Sequence, residues 1–200
     1  MTVPRNSIHS IAVFCGSNFG RVDAYRNAAR ETGAEIARRG WQLVYGGTDK
    51  GLMGVVADAV LANGGKAHGV ITQALSVRGQ QHAGLTSSEI VGDMRTRKAR
   101  MADLADAFVA LPGGFGTLEE LLEIATLAQL GEHRKPFGLL DVLDFYRPLR
   151  EMFGHAVDEG FMKIEHARMP VFDSRPAPLL DALEVWRAPT VTKWIGQPNA

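Results

Sequence analysis

The sequence lacks most features that mark secreted, membrane-spanning or nucleic-acid-binding proteins. Its one cysteine, Cys15, excludes an internal disulfide and favours a reducing, cytoplasmic compartment. No apolar run approaches the length of a membrane span, and the first residues lack the apolar segment of a secretory signal. Lysine and arginine number 22 and aspartate and glutamate also 22, so no net charge attracts nucleic acid or an anionic membrane. Any anion site is therefore expected to be local.

What the sequence does contain is an alternation of short apolar runs and helical segments along its 200 residues. Strands are predicted over residues 8–15, 41–45, 66–72, 107–111 and 136–140, with weaker candidates at 89–91 and 169–172. Helices are predicted over residues 23–39, 52–62, 93–105, 118–125, 144–159 and 177–186, and residues 73–88 are predicted as a loop with some helix. This order predicts a Rossmann-like, doubly wound α/β fold, with a mostly parallel sheet and helices on both faces. We expect one nucleotide-binding catalytic domain over residues 1–188 and a tail over residues 189–200.

The most informative stretch is residues 111–120, L-P-G-G-F-G-T-L-E-E, which joins a buried strand to a helix. A glycine turn at a helix N-terminus gathers unpaired backbone N–H groups, which favour an anion such as phosphate. Thr117 is expected to cap the helix and to offer its hydroxyl to a phosphate oxygen. Glu120 lies one turn into the helix, and phosphate binding alone does not call for its carboxylate, so we assign it to chemistry. The alternative is a tight turn beside a solvated glutamate, and the stretch matches neither a dinucleotide fingerprint nor a Walker loop.

Two more glycine turns follow other predicted strands. Gly16-Ser17 follows the first strand, and Gly46-Gly47-Thr48 follows the second. Ligands of doubly wound sheets bind beyond the carboxyl ends of the strands, where the strand order switches. The three turns together predict a nucleotide-sized cleft with Ser17, Gly46 and Gly47 as candidate contacts, although any one of them could be turn chemistry alone.

The predicted helix over residues 93–105 carries two cations in its apolar stripe. Arg97 and Lys98 share the helical spacing of Met94 and Met101, which normally faces a core. An unpartnered buried charge is unfavourable, so both cations are expected to meet anions: Glu120, another carboxylate or a bound phosphate. For Lys98 the alternative stays open that its stem packs while its ammonium group reaches solvent.

The helix after the glycine turn is apolar nearly all round. One face carries Leu118, Leu121, Leu122 and Ala125, and other sides carry Ile124, Leu127 and Leu130. A helix of this kind is buried on more than one side. We therefore predict a homodimer packed along this helix, with the site near the interface.

Two motifs together resemble the LONELY GUY family of cytokinin riboside 5′-monophosphate phosphoribohydrolases, many of which carried the label lysine decarboxylase. They are M-x-x-R-K-x-x-M at residues 94–101 and P-G-G-F-G-T-L-E-E at residues 112–120, and the similarity extends from Cys15 to Tyr146. The resemblance implies a Rossmann-like dimer that hydrolyses the N-glycosidic bond of an adenosine 5′-monophosphate, N6-modified or not. The products would be a free base, either cytokinin or adenine, and ribose 5-phosphate.

The same resemblance implies roles for single residues. Arg97 and Glu120 take the catalytic places. Substrate contacts are implied for Lys98, Gly113, Gly114, Phe115, Gly116, Thr117, Glu119 and Thr126. The plant enzymes also have an acidic residue shortly after the third strand, which residues 71–75 here lack, and Thr48 stands where a third glycine is usual. These departures leave the preferred base open.

A mechanism follows from the residues and the resemblance together. Cleavage of an N-glycosidic bond builds positive charge on the sugar, which the Glu120 carboxylate would stabilise while it orients or deprotonates water. Arg97 would keep Glu120 ionised and in place, or contact the substrate.

Neither a metal nor a cofactor is expected. The six histidines are scattered without the spacing of metal ligands. Amino-acid decarboxylation would need a cofactor such as pyridoxal phosphate on a lysine, and nothing around Lys98 favours that. Two alternatives stay open: a nucleotide- or cofactor-binding carrier that binds AMP without releasing adenine, and a nucleosidase acting on a broader range of nucleoside monophosphates.

Overall fold

The chain folds around a parallel sheet in the computed structural model, which describes residues 5–196 and contains seven strands in that range. The strands are β1 (Ser10–Phe14), β2 (Gln42–Tyr45), β3 (Lys66–Thr72), β4 (Ser87–Val91), β5 (Ala107–Ala110), β6 (Phe137–Leu140) and β7 (Val171–Asp173). Their order is β4-β3-β2-β1-β5-β6-β7, and every neighbouring pair is parallel. The predicted doubly wound α/β fold is confirmed.

Helices cover both faces of the sheet. They are α1 (Asp23–Arg38), α2 (Gly51–Ala62), α3 (Gln73–Val77), α4 (Met94–Leu104), α5 (Phe115–Leu130), α6 (Arg147–Asp158), α7 (Ile164–Ala167) and α8 (Pro176–Val185). Alternate residues of β1 point to opposite sides, so Ile11 packs in a core with α1, α2 and α8, whereas Ala12 packs in a core with α4 and α5. None of the helices in residues 5–196 combines the length and the apolar composition needed to cross a membrane.

The strand order switches between β1 and β5. From β1 the chain runs outward through β2, β3 and β4 to one edge, and from β5 it runs through β6 and β7 to the other. Crossovers therefore leave β1 and β5 in opposite directions and open a crevice beyond their carboxyl ends. The glycine turns at residues 16–17, after β1, and 113–116, after β5, flank this point.

Five helix starts differ from the sequence prediction, those of α2, α4 and α8 by a single residue. Helix α5 begins at Phe115, inside the glycine turn, because Gly114 takes the N-cap position without a side-chain hydrogen bond. The expectation that Thr117 caps this helix is therefore wrong. Helix α6 begins at Arg147 rather than at residue 144, because Leu143 and Asp144 have positive φ angles of 54° and 57°. Helix α8 begins at Pro176, a residue that favours the first turn of a helix.

The segment after α8 has neither helix nor strand over residues 186–196. The last four residues of the predicted tail lie outside the described residues. The boundary at residue 188 stays a prediction.

Candidate active site

A cleft of about 570 Å³ lies at the switch point, lined by the turns after β1 and β5. The two turns touch each other: the N–H of Gly16 donates to the carbonyl of Pro112 at 3.1 Å. A Cβ at Gly113 would overlap the hydroxyl of Thr117 and come within 2.9 Å of the Gly16 nitrogen. Glycine at position 113 therefore permits the close approach that closes the floor of the cleft.

The N-terminus of α5 forms an anion cradle on this floor. The first N–H groups of a helix have no partners within it, and here they belong to Phe115, Gly116 and Thr117, all of which line the cleft. The first turn carries no acidic residue that would repel an anion. Thr117 is 3% exposed and its hydroxyl packs against Gly113. The helix dipole and the free donors together favour a phosphate at this position.

Glu120 and Arg97 meet beside the cradle. The side chain of Glu120 is 13% exposed and that of Arg97 is 8% exposed, with 3.6 Å between Oε1 and Nη1. The Nε of Arg97 donates to the carbonyl of Val70 at 2.9 Å, which orients the guanidinium group. Helix α4 and helix α5 thus bring an arginine and a carboxylate into one buried pair that lines the cleft.

The second glycine turn supports this pair from below. A Cβ at Gly46 would overlap Nη2 of Arg97, so the guanidinium group lies directly against the backbone of that turn. Gly47 is buried and has a φ of 75°, a conformation that favours glycine. Neither glycine lines the cleft. The two glycines lie against Arg97, and the part of this turn that lines the cleft is Thr48.

Burial raises the pKa of Glu120 from its ordinary value of 4.5 to about 7. Arg97 and Lys98 oppose this rise, while the neighbouring carboxylates of Glu119 and Glu123 add to it. The expectation that Arg97 keeps Glu120 ionised holds only in part, because burial outweighs the attraction. A carboxyl group with a pKa near neutrality suits proton transfer at physiological pH. Arg97 itself stays charged, although burial lowers its pKa.

The raised pKa of Glu120 predicts a pH-dependent loss of stability. Between 4.5 and about 7 the folded protein holds a proton that the unfolded chain releases. The stabilisation is therefore full below pH 4.5 and lost as the pH rises through about 7. We expect the free energy of unfolding of the wild type, relative to Glu120→Gln, to fall by on the order of 3 kcal/mol across this window. Urea unfolding of both proteins at several pH values tests this, and a pH-independent difference would contradict it.

Lys98 belongs to a separate ion cluster. Its Nζ donates to Glu119 and lies 3.1 Å from Oε2 of Glu123. The hydrogen bond with Glu119 raises the pKa of Lys98. Lys98 does not line the cleft. Lys98 links α4 to α5 through these two carboxylates, of which Glu119 lines the cleft.

The predicted site residues fall into two groups. Those that line the cleft are Ser17, Arg97, Gly113, Gly114, Phe115, Gly116, Thr117, Glu119 and Glu120. Those that do not are Gly46, Gly47, Lys98 and Thr126. The last of these is exposed on α5, where its hydroxyl donates to the carbonyl of Leu122 at 2.7 Å. Its contact with a substrate cannot be made within its own chain's cleft.

Several residues that line the cleft are not predicted from the sequence. Tyr25 of α1, Leu75 of α3, Gln80 and Phe145 all line the cleft. Single aromatic or apolar residues of this kind look like core residues in a sequence. The usable signal is their position, because Leu75, Gln80 and Phe145 follow β3 or β6 and so emerge at the same edge of the sheet. The cleft is also lined by Cys15, which is buried. Burial raises the pKa of its thiol, so it is a poor nucleophile.

Fold and site together define a Rossmann-like protein with a nucleotide-sized cleft, an anion cradle and a buried arginine–glutamate pair. A family model described as "Possible lysine decarboxylase" matches residues 53–183. The chain belongs to this family, the LONELY GUY family, as its curated relatives show.

Three such relatives are plant proteins. The cytokinin riboside 5′-monophosphate phosphoribohydrolase LOG1 of Arabidopsis thaliana is 50% identical over 76% of this chain and 71% of its own length. LOG7 of the same plant carries the same enzyme name and is 46% identical over 92% of this chain and 85% of its own length. The probable phosphoribohydrolase LOGL1 of Oryza sativa subsp. japonica is 47% identical over 82% of this chain and 74% of its own length.

Solved structures share the fold at lower identity. The molybdenum cofactor binding protein from Rippkaea orientalis has a TM-score of 0.64 at 20% identity, covering 90% of this chain and 95% of its own. The Moco carrier protein from Chlamydomonas reinhardtii has a TM-score of 0.64 at 23% identity, covering 86% of this chain and 93% of its own. At this identity the likeness concerns the fold alone.

Proposed function

We propose that this protein hydrolyses the N-glycosidic bond of adenosine 5′-monophosphates, N6-modified ones included, to a free base and ribose 5-phosphate. The observation that carries the proposal is the buried pair of Glu120 and Arg97 beside the anion cradle of α5. A carrier needs the cradle but has no use for a carboxyl group with a pKa near 7 next to it. The names of the plant relatives support the same reaction.

Binding begins at the 5′-phosphate. The free N–H groups of the first α5 turn and the hydroxyl of Thr117 receive its oxygens. The backbone of Gly113 and Gly114 approaches closely because no side chain intervenes. When the phosphate is held in this way, the ribose extends along the cleft. The binding energy of the phosphate then positions the anomeric carbon near Glu120.

The chemical step assigns two tasks to Glu120 and one to Arg97. As the bond from the anomeric carbon to the base lengthens, positive charge develops on the sugar, and the Glu120 carboxylate stabilises it. The same carboxylate takes a proton from the attacking water as the new carbon–oxygen bond forms. Arg97, fixed by Val70 and Gly46, holds the carboxylate in place. The departing base leaves with the bonding electron pair and takes up the proton that Glu120 received from the water, which restores the carboxylate.

A panel of nucleotides tests the proposal. Purified protein is incubated with N6-isopentenyl-AMP, with AMP, with CMP and with the corresponding nucleosides, and free base is separated by chromatography. We expect release from the adenosine monophosphates and none from the nucleosides, because the cradle requires a phosphate. Equal release from CMP would indicate a broader nucleosidase. Binding of AMP without any release would indicate a carrier.

We also propose a homodimer packed along α5. Leu122 and Leu130 are 41% and 48% exposed on one face of this helix, with Thr126 between them. A second copy would cover these leucines, and it would bring Thr126 toward a site that this residue does not reach within its own chain.

The substitution Leu122→Arg is expected to convert the dimer to a monomer, because it places a charge in an apolar contact. Light scattering after gel filtration measures the mass. The matched control is Val77→Arg, at an 81% exposed position on α3, which should leave the dimer intact. A wild-type monomer, or a Leu122→Arg dimer of unchanged affinity, would contradict the proposed interface.

We place the catalytic domain within residues 1–188 and the protein in the cytoplasm. The single, buried cysteine supports a reducing compartment.

A further inference from the structure

A strained turn lies at the carboxyl end of β6. Leu143 (φ 54°, ψ 38°) and Asp144 (φ 57°) are the only residues other than glycine with positive φ within residues 5–196. A side chain with a Cβ disfavours this left-handed conformation, and here two successive residues adopt it. Both side chains are exposed, Leu143 by 66%, so their own burial does not offset the strain.

Hydrogen bonds hold the turn at both ends. The Asp141 carboxylate accepts from the N–H of Tyr146 at 2.7 Å and from the guanidinium group of Arg150 at 2.8 Å. The buried hydroxyl of Tyr146 donates to the carbonyl of Leu111 at 2.6 Å, directly before the glycine turn of α5. The surroundings therefore impose the strained conformation. Such over-determined strain is typical of positions with a functional constraint.

The turn presents Phe145 to the cleft. Its ring lines the cleft and is 38% exposed. It meets the ring of Tyr25 edge-on at 6.0 Å between centroids and that of Tyr146 edge-on at 5.0 Å. These contacts fix the ring without covering it. An accessible aromatic ring in a cleft with an anion cradle is a stacking surface for a flat ligand.

We propose that the strained turn holds Phe145 as the surface on which the heteroaromatic base of the substrate stacks. This inference rests on the proposed function, because it takes the phosphate of the same nucleotide to occupy the α5 cradle. Phe145 is then a substrate-binding residue: it fixes the base end of the substrate while the cradle fixes the phosphate end.

The test compares two ligands that differ in the base. Binding of AMP and of ribose 5-phosphate is measured by calorimetry, with every variant carried in a Glu120→Gln background so that AMP persists. Phe145→Ala is expected to weaken AMP binding about tenfold and to leave ribose 5-phosphate binding unchanged, since stacking involves the base alone. Phe145→Tyr, which keeps the ring, should restore AMP binding. Leu143→Gly combined with Asp144→Gly relieves the strain and should cause a smaller, equally base-specific loss.

Each other outcome is decisive. Unchanged AMP binding in Phe145→Ala overturns the inference alone and leaves the proposed function standing. Equal weakening of both ligands also overturns it, because Phe145 would then maintain the shape of the cleft. A wild-type protein that neither releases base from AMP nor binds ribose 5-phosphate overturns the proposed function and the inference with it.

Discussion

Glu120→Gln is expected to lower the rate of base release by about a hundred- to ten-thousandfold while nucleotide binding is retained. Glutamine keeps the size of the side chain and fits the same buried position. It can neither carry the negative charge that stabilises the developing cation nor accept a proton from water. The rate is measured from free base at saturating N6-isopentenyl-AMP, and binding from calorimetry with AMP.

The control for this substitution is a second glutamate, close to the C-terminal end of the same helix. Glu132→Gln makes the same chemical change at an exposed position just beyond the end of α5 and should leave the rate unchanged. Turnover of Glu120→Gln near that of the wild type would remove Glu120 from the chemistry. A loss of nucleotide binding as large as the loss of rate would make its role structural.

Gly46→Ala is expected to lower kcat/KM about a hundredfold, although position 46 does not line the cleft. The added methyl group would overlap Nη2 of Arg97 and displace the guanidinium group from Val70 and Glu120. A displaced Arg97 no longer holds the Glu120 carboxylate beside the substrate. Steady-state kinetics with N6-isopentenyl-AMP measure the effect.

Gly92→Ala is the matched control, because a Cβ at position 92 meets no atom within 4 Å. It should leave kcat/KM at the wild-type level. If Gly46→Ala folds normally and retains full activity, catalysis does not require the observed position of Arg97. That result would contradict the proposed role of Arg97 in holding Glu120.

The sheet and the place of the cleft can be predicted from the sequence because their signals are local. Buried parallel strands give short apolar runs, and the turns that follow β1 and β5 carry Gly16 and Gly113 where their backbones approach each other. Parallel strands end at one edge, so turns distant in the chain assemble there. The pairing of Arg97 with Glu120 also has a local signal, since a cation in an apolar stripe needs an anion.

Features that depend on packing between distant segments cannot be predicted from local sequence signals. The role of Gly46 depends on the position of the Arg97 side chain, which reaches it from α4. The partners of Lys98 depend on the rotation of α5, which turns Glu119 and Glu123 toward it. The exposure of the Phe145 ring in the cleft depends on the positive φ angles of Leu143 and Asp144, which these residues would not adopt without the surrounding structure.

The helix start at Phe115 is a subtler case. Threonine and glycine are about equally frequent as N-caps, but only threonine offers a side-chain oxygen that accepts a backbone hydrogen bond, and the motif places Thr117 close to the start. In the structure Gly114 takes the cap position, and Thr117 is buried against Gly113, where the turns after β1 and β5 meet. Tertiary packing overrides the local preference here, and the result exposes three N–H groups to the cleft.

Release of free base from N6-isopentenyl-AMP tests the central claim most directly. Purified protein is incubated with this nucleotide, and isopentenyladenine and ribose 5-phosphate are quantified over time. The structure and the family together predict that both appear in equal amounts, and that the nucleoside without its phosphate yields neither. A protein that binds the monophosphate yet releases no base over many hours would contradict the claim.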